Sequence, residues 1–220
     1  MTADGIIFDV DGVIADSEYY FTNSCALFLN AQGIDVSYKD IIRYLGQPEM
    51  VVVRQIRKDW HLERYDEKQL FDLLYADYVK KMASGEVHPM EGLERFLDIL
   101  MQKNIRTALG TSGSIPHVQE ILNGIRLENR FDTWVTVEKV TKGKPDPEIF
   151  NTAADELCAM GCQRDRIIVI EDSPNGIRAG KAAGLFTIGL KASRIPQDTS
   201  EADAVCYTYE EVIKLISKGE

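Results

Sequence analysis

The chain has 220 residues, 45% hydrophobic and 27% charged, enough for one large domain or two modest ones with a real core. A formal net charge of -10 argues against nucleic acid or an anionic membrane surface as a partner, and no apolar run reaches transmembrane length. Cys25, Cys158, Cys162 and Cys206 are too few and too scattered for a disulfide framework, and the start MTADGIIFDV has no basic leader, so a reducing cytoplasm is the simplest setting.

Gly5 to Val10, GIIFDV, is a short apolar run bounded by turn residues and predicts a buried strand. From about Ser17 to Gly85 apolar residues recur at helical intervals, with Gly33, Gly46 and Gly85 as punctuation. After Pro89 the pattern alternates. GLERFLDILMQ reads as a helix and IRTALGTS as a strand, IPHVQEILNGI as a helix and WVTVEKV as a strand. PEIFNTAADEL, with Cys158 and Cys162 on one face, reads as a helix, RIIVIEDS as a strand, IRAGKAAG as a helix and LFTIGL as a strand. ADAVCYTY and a short terminal helix close the chain. Strand and helix in turn predict an α/β fold: a Rossmann-like parallel sheet core made of residues 1–15 and 87–220, with an all-α helical unit, 16–86, inserted after the first strand.

In open parallel sheets ligands bind beyond the carboxyl ends of the strands. FDVDG, GTSGS and EDSPNG fall at such ends, and KGKPDP falls in a loop before a helix. Asp9 and Asp11, at i and i+2 of an extended segment, face one crevice, where their repulsion raises one pKa. One can attack phosphorus while the other serves as acid and then base, although a pair of turn aspartates explains DxDG alone as well. Glu171 and Asp172 end a strongly apolar run, where adjacent carboxylates are costly without a positive partner. Mg²⁺, a hard cation that prefers oxygen ligands, suits them; an N-cap pair is the plainer reading, and both can hold. Thr111 and Ser112, in a Gly-rich turn before a helix, offer a phosphate cradle or an ordinary N-cap. Lys144, in a loop stiffened by Pro145 and Pro147, can offset charge on a phosphoryl oxygen and on Asp9; a solvated loop lysine is the plainer reading, and Lys142 is a nearby rival. Together these clusters meet the needs of phosphoryl transfer.

In order and content the four clusters resemble the motifs of the haloacid dehalogenase (HAD) superfamily of phosphohydrolases, across the whole α/β core. That resemblance implies Asp9 as nucleophile and Asp11 as acid/base in FDVDGVIAD, Thr111 and Ser112 binding phosphate in LGTSG, and Lys144 as the cation in GKPDP. It also implies Mg²⁺ held by Asp9, Glu171, Asp172 and the backbone carbonyl of Asp11, and a small phosphorylated metabolite as substrate. The helical insertion resembles the small cap of the phosphoglycolate phosphatase and β-phosphoglucomutase branch, which closes over the site, with hinges near Ile14–Glu18 and Ser84–Pro89. YLGQP, Tyr44 to Pro48, resembles its specificity loop, which singles out Gly46 and Gln47; an ordinary interhelix turn is the plainer reading. Tyr20 and Arg43 are further substrate-facing candidates, with Tyr19 and Arg54, and a packed or solvated helix face explains each as well.

Asp11 argues against dehalogenation at carbon, which dispenses with the second aspartate. β-Phosphoglucomutases carry a histidine where this chain has Phe21, and an arginine just after the specificity-loop glycine where this chain reads Gly46-Gln47-Pro48-Glu49. Both departures favour hydrolysis over mutase chemistry. A catalytically idle phosphate-binding protein would have lost Asp9, Asp11 or a metal carboxylate, and none is lost. His61 and His117 have no companions in the sequence and receive no role; His88, beside Pro89, reads as a hinge residue.

Overall fold

The computed structural model describes residues 2–45 and 49–217. The specificity-loop candidates Gly46 and Gln47 lie outside the described residues. The chain divides into two compact units, one holding the residues up to Asp16 and from His88 onward, the other Ser17–Val87.

In the first unit six strands form one parallel sheet among the described residues: β1 (Gly5–Phe8), β2 (Arg106–Gly110), β3 (Thr133–Val135), β4 (Ile167–Glu171), β5 (Phe186–Leu190) and β6 (Ala204–Cys206), in the order β3-β2-β1-β4-β5-β6. Parallel neighbours need crossovers, and helices of this unit supply them: α5 (Leu93–Gln102), α6 (Ile115–Ile125), α7 (Glu148–Ala159) and α8 (Pro174–Ala182), with α9 (Tyr209–Ser217) following β6. The central strand β1 pairs with β2 on one side, Ile7 opposite Ala108, and with β4 on the other, Ile7 opposite Val169. Alternate β1 side chains serve opposite faces. Ile7, with Ala108, Val135 and Val169, packs against Ile149, Phe150 and Leu157. Phe8, on the other face, meets Phe96 and Phe131 edge-on, and Phe96 in turn packs on Tyr209. With β1 and β4 fully buried, each such apolar side chain contributes roughly 1.5–3 kcal/mol by leaving water.

WVTVEKV departs from the continuous strand its pattern predicts: β3 stops at Val135, and Val137–Lys139 form a 3-10 turn. The Val137 N–H donates to Gly113 O and Glu138 Oε1 accepts the Ile115 N–H, so the segment turns back to cap the neighbouring helix instead of extending the ladder. Cys162 is likewise not on the helix face shared with Cys158, because that helix ends at Ala159 and the chain reverses at Gly161; the Cys162 thiol donates to Asp4 O.

The second unit is helical: α1 (Ser17–Ala31), α2 (Tyr38–Ile41), a 3-10 turn (Ile42–Tyr44), α3 (Glu49–Asp59) and α4 (Glu67–Ser84). Leu29, Val53, Ile56, Leu70 and Leu74 form its core, with Phe21 and Tyr75 packed against it. A reciprocal capping box between Asp66 and Gln69 starts α4. The Ser24 hydroxyl ties α1 to α4, donating to Leu74 O at 2.6 Å and accepting the Tyr78 N–H at 3.2 Å. At the junction inside the first unit, Ala15 bridges Pro89 and the Met90 N–H donates to Ile14 O at 2.8 Å. Among the described residues no helix is long and apolar enough to cross a membrane.

Candidate active site

The site lies at the C-terminal ends of the central strands, on either side of β1 where the strand order reverses. Asp9 follows β1 directly, and its N–H donates to Ile170 O of β4. The next residues fold into a tight turn closed by Gly12 N–H to Ala15 O and Ile14 N–H to Val10 O. Gly12 has φ of 76°, and a Cβ there would lie 2.0 Å from Asp172 Oδ2, so glycine is required both for the backbone and for the carboxylate beside it.

Thr111 follows β2, is buried, and accepts the Gly113 N–H on Oγ1 while its own N–H donates to Val135 O. That leaves its hydroxyl proton to donate elsewhere. Ser112 beside it is exposed. Glu171 ends β4 fully buried, and Asp172 follows, 3% exposed. Helix α8 (Pro174–Ala182) starts at Pro174, earlier than the IRAGKAAG pattern places it, with Ser173 as N-cap: its Oγ accepts the Gly176 N–H, while its N–H and hydroxyl donate to Glu171 Oε2 at 2.7 and 3.0 Å.

The rivalry between the two lysines is resolved by burial. Lys142 is solvated, its side chain 72% exposed. Lys144, 6% exposed, reaches in to donate to Asp9 Oδ1 at 2.5 Å and Glu171 Oε1 at 2.7 Å, over the Phe150 ring. Helix α7 (Glu148–Ala159) follows its loop. One ammonium thus pairs with two buried carboxylates, Asp9 and Glu171, and a third, Asp172, lies beside them. Burial is the main reason the Asp9 carboxyl is pushed up to about 7; Lys144 opposes the rise, and the negative charges of Glu171 and Asp11 add to it. Burial acts against the Lys144 ammonium, but Asp9 and Glu171 outweigh it and hold the group protonated.

Asp9, Glu171 and Asp172 each offer an oxygen within 4.8 Å of the others, a hard, anionic donor set compatible with Mg²⁺. Gly176 makes room for it: a Cβ there would fall 1.6 Å from Glu171 Oε1. A divalent cation would also relieve the excess negative charge that raises Asp9.

Two contributors escape sequence reasoning. Tyr209, at the start of α9 (Tyr209–Ser217), is fully buried and donates from its hydroxyl to Val13 O at 2.8 Å, bracing the turn that carries Asp11; burial, then Asp172 and Asp9, hold its proton on well above the usual range. His117, in the first turn of α6 (Ile115–Ile125), brings Nε2 to 3.0 and 3.2 Å from the two Asp11 carboxylate oxygens. A surface cavity of about 560 Å³, lined by Asp4, Arg106, Cys162 and Arg166 among others, lies at the N-terminal ends of the strands and holds none of these site residues.

The remaining candidates belong to the helical unit. The Tyr20 hydroxyl donates to Glu86 O at 3.4 Å. Arg43 donates to the Tyr44 hydroxyl at 2.7 Å, pairs with Asp59 at 3.6 Å and lies over the Tyr44 and Trp60 rings, so a structural role accounts for its placement. Phe21, at the position of the mutase histidine, stacks obliquely on Tyr75.

The family model for haloacid dehalogenase-like hydrolases matches residues 6–190. The chain belongs to this family. The HAD-like hydrolase is 27% identical to validoxylamine A 7'-phosphate phosphatase of Streptomyces hygroscopicus subsp. limoneus, over 94% of each chain. It is 29% identical to β-phosphoglucomutase of Bacillus subtilis strain 168, over 84% of this chain and 82% of that one. A solved HAD-family hydrolase from Deinococcus radiodurans R1, with bound phosphate and sodium, superposes with a TM-score of 0.80 at 24% identity, over 98% and 96% of the two chains, and shows the shared fold. The protein is a HAD-type enzyme of the phosphatase and phosphomutase kind, a phosphoric monoester hydrolase with a Rossmann-like core and an inserted helical unit.

Proposed function

We propose that this HAD-like hydrolase is a cytoplasmic, Mg²⁺-dependent phosphatase that hydrolyses a small phosphate monoester, of the sugar-phosphate or phosphoglycolate kind, through an aspartyl-phosphate on Asp9. The observation that carries the reading is the buried carboxylate of Asp9 at the end of the central strand, hydrogen-bonded to Lys144 and flanked by Asp11, Thr111, Glu171 and Asp172.

In the first half-reaction an Asp9 oxygen bonds to phosphorus as the ester P–O bond breaks. Asp11 delivers its carboxyl proton to the departing alcohol oxygen. Thr111, the Ser112 backbone and Lys144 hold the phosphoryl oxygens, and Lys144 offsets the charge that develops on them. In the second half-reaction the Asp11 carboxylate takes a proton from water as that water attacks phosphorus, releasing inorganic phosphate and the Asp9 carboxylate. Asp9, Glu171, Asp172 and the Asp11 carbonyl would hold Mg²⁺, which when bound neutralises phosphoryl charge and keeps Asp9 ionised. The free thiols suit a reducing compartment.

Mutase chemistry is the second reading, supported by the likeness to β-phosphoglucomutase. Phe21 and Glu49, at positions where the resemblance calls for a histidine and an arginine, weigh against it. The test is a panel of phosphate esters assayed for inorganic phosphate with Mg²⁺ and with chelator. Asp9→Asn should remove turnover while circular dichroism stays unchanged; a retained rate, or one resistant to chelation, would defeat the proposal.

A further inference from the structure

Asp11 has to offer its proton in one direction. An aspartate carboxyl turns readily about its last bond and can carry the proton on either oxygen. His117 faces both of those oxygens, with Nε2 at 3.0 Å from Oδ1 and 3.2 Å from Oδ2. The two side chains are half-buried, 25% exposed for His117 and 27% for Asp11.

The helical turn that carries the ring is well anchored. The Ser114 hydroxyl oxygen caps α6 by accepting the His117 N–H, and Glu138 accepts the Ile115 N–H at the same helix end. Gly113 is tied on one side to Thr111 Oγ1 and on the other, through its carbonyl, to the Val137 N–H. The same loop thus carries Thr111 and fixes the helical turn that presents His117.

We propose that His117 is a positioning residue, whose Nε2–H holds one oxygen of Asp11 so that the transferable proton sits on the other. The assignment rests on Asp11 being the acid and base of the reaction. An Nε2 aimed at a carboxylate is the tautomer that carries a hydrogen there. A hydrogen-bond donor prefers the ionised oxygen over the protonated one, so occupying one oxygen places the acidic proton on its twin. In the first half-reaction that proton passes from Asp11 to the leaving-group oxygen. In the second the same oxygen accepts a proton from water. The His117 proton stays on Nε2 throughout.

A group that positions a general acid matters in proportion to how much the leaving group needs a proton. An alkoxide needs one and a 4-nitrophenolate does not. The experiment is therefore the ratio of kcat/KM for an alkyl phosphate, glycerol 3-phosphate or glucose 6-phosphate, to that for 4-nitrophenyl phosphate, with Mg²⁺ present. Both rates come from one preparation, so a misfolded fraction cancels. His117→Ala and His117→Phe should lower the ratio about 10- to 100-fold, the range expected when the partner that orients a reacting group is lost. His117→Gln, which keeps an N–H donor near Nε2, should restore it to within about threefold of the parent. An unchanged ratio in the Ala and Phe variants would overturn the assignment, and so would a Gln variant as impaired as Ala. Asp11→Asn is the reference: a fall at least as large supports the acid role, whereas no fall removes that role and the positioning of His117 with it.

Discussion

Replacing Gly176 by alanine places a methyl group where a carboxylate already sits. The added Cβ would lie 1.6 Å from Glu171 Oε1 and 1.9 Å from Cδ. Ordinary contact is about 3.5 Å, so the carboxylate has to retreat by about 2 Å. It has nowhere comparable to go, being fully buried and held by Lys144 at 2.7 Å and by the Ser173 N–H at 2.7 Å. Losing two hydrogen bonds to a charged group costs about 3–6 kcal/mol, and the better helix propensity of alanine returns about 1 kcal/mol. Gly176→Ala should therefore lose about 2–5 kcal/mol in urea unfolding and need a higher Mg²⁺ concentration for half-maximal hydrolysis of 4-nitrophenyl phosphate. A variant with the parent's midpoint and the parent's Mg²⁺ titration would refute the packing argument.

Lys142→Ala should stay within about 0.5 kcal/mol of the parent because its side chain is solvated, whereas Lys144→Ala, which strands Asp9 and Glu171, should cost about 3–5 kcal/mol and lower kcat about 100-fold or more; unfolding curves and phosphate release measure both. Asp9 titrates near 7 in the fold against an unfolded value of 3.8, so between these values the folded state holds the extra proton and the contribution to stability falls as pH rises. The chelator-treated protein should lose stability as pH rises from 4 to 7, a slope that Mg²⁺ flattens and Asp9→Asn removes. Urea midpoints across that range, with and without Mg²⁺, read it directly.

The α/β architecture was legible because β1 and β4 are buried on both faces and read as unbroken apolar runs. FDVDG, GTSGS and EDSPNG were legible because each follows a strand directly. What sequence could not carry was side-chain direction across long separations. Lys142 and Lys144 differ by two positions in one loop, and only the path of that loop decides which enters. His117 lies 106 residues from Asp11, on a helix whose N-cap is readable but whose facing partner is not. Cys162 follows Cys158 at helical spacing, yet Gly161 has already ended the helix. In WVTVEKV, β-branched residues continue past Val135, but the demand of α6 for a capping carboxylate, met by Glu138, outweighs their strand propensity.

The bridge between Ala15 and Pro89, reinforced by Met90 N–H to Ile14 O, has an architectural consequence. The chain departs from the sheet and rejoins it at touching points, so Ser17–Val87 is a closed excursion, and no strand is re-routed by what it contains. Such an arrangement is a splice site. A longer helical module enters there at little extra closure entropy, about 0.6 kcal/mol for each doubling of its length, because its two ends are set down at one place on the body that receives it. A change in the size of that excursion therefore leaves β1 and the carboxylate it delivers in register.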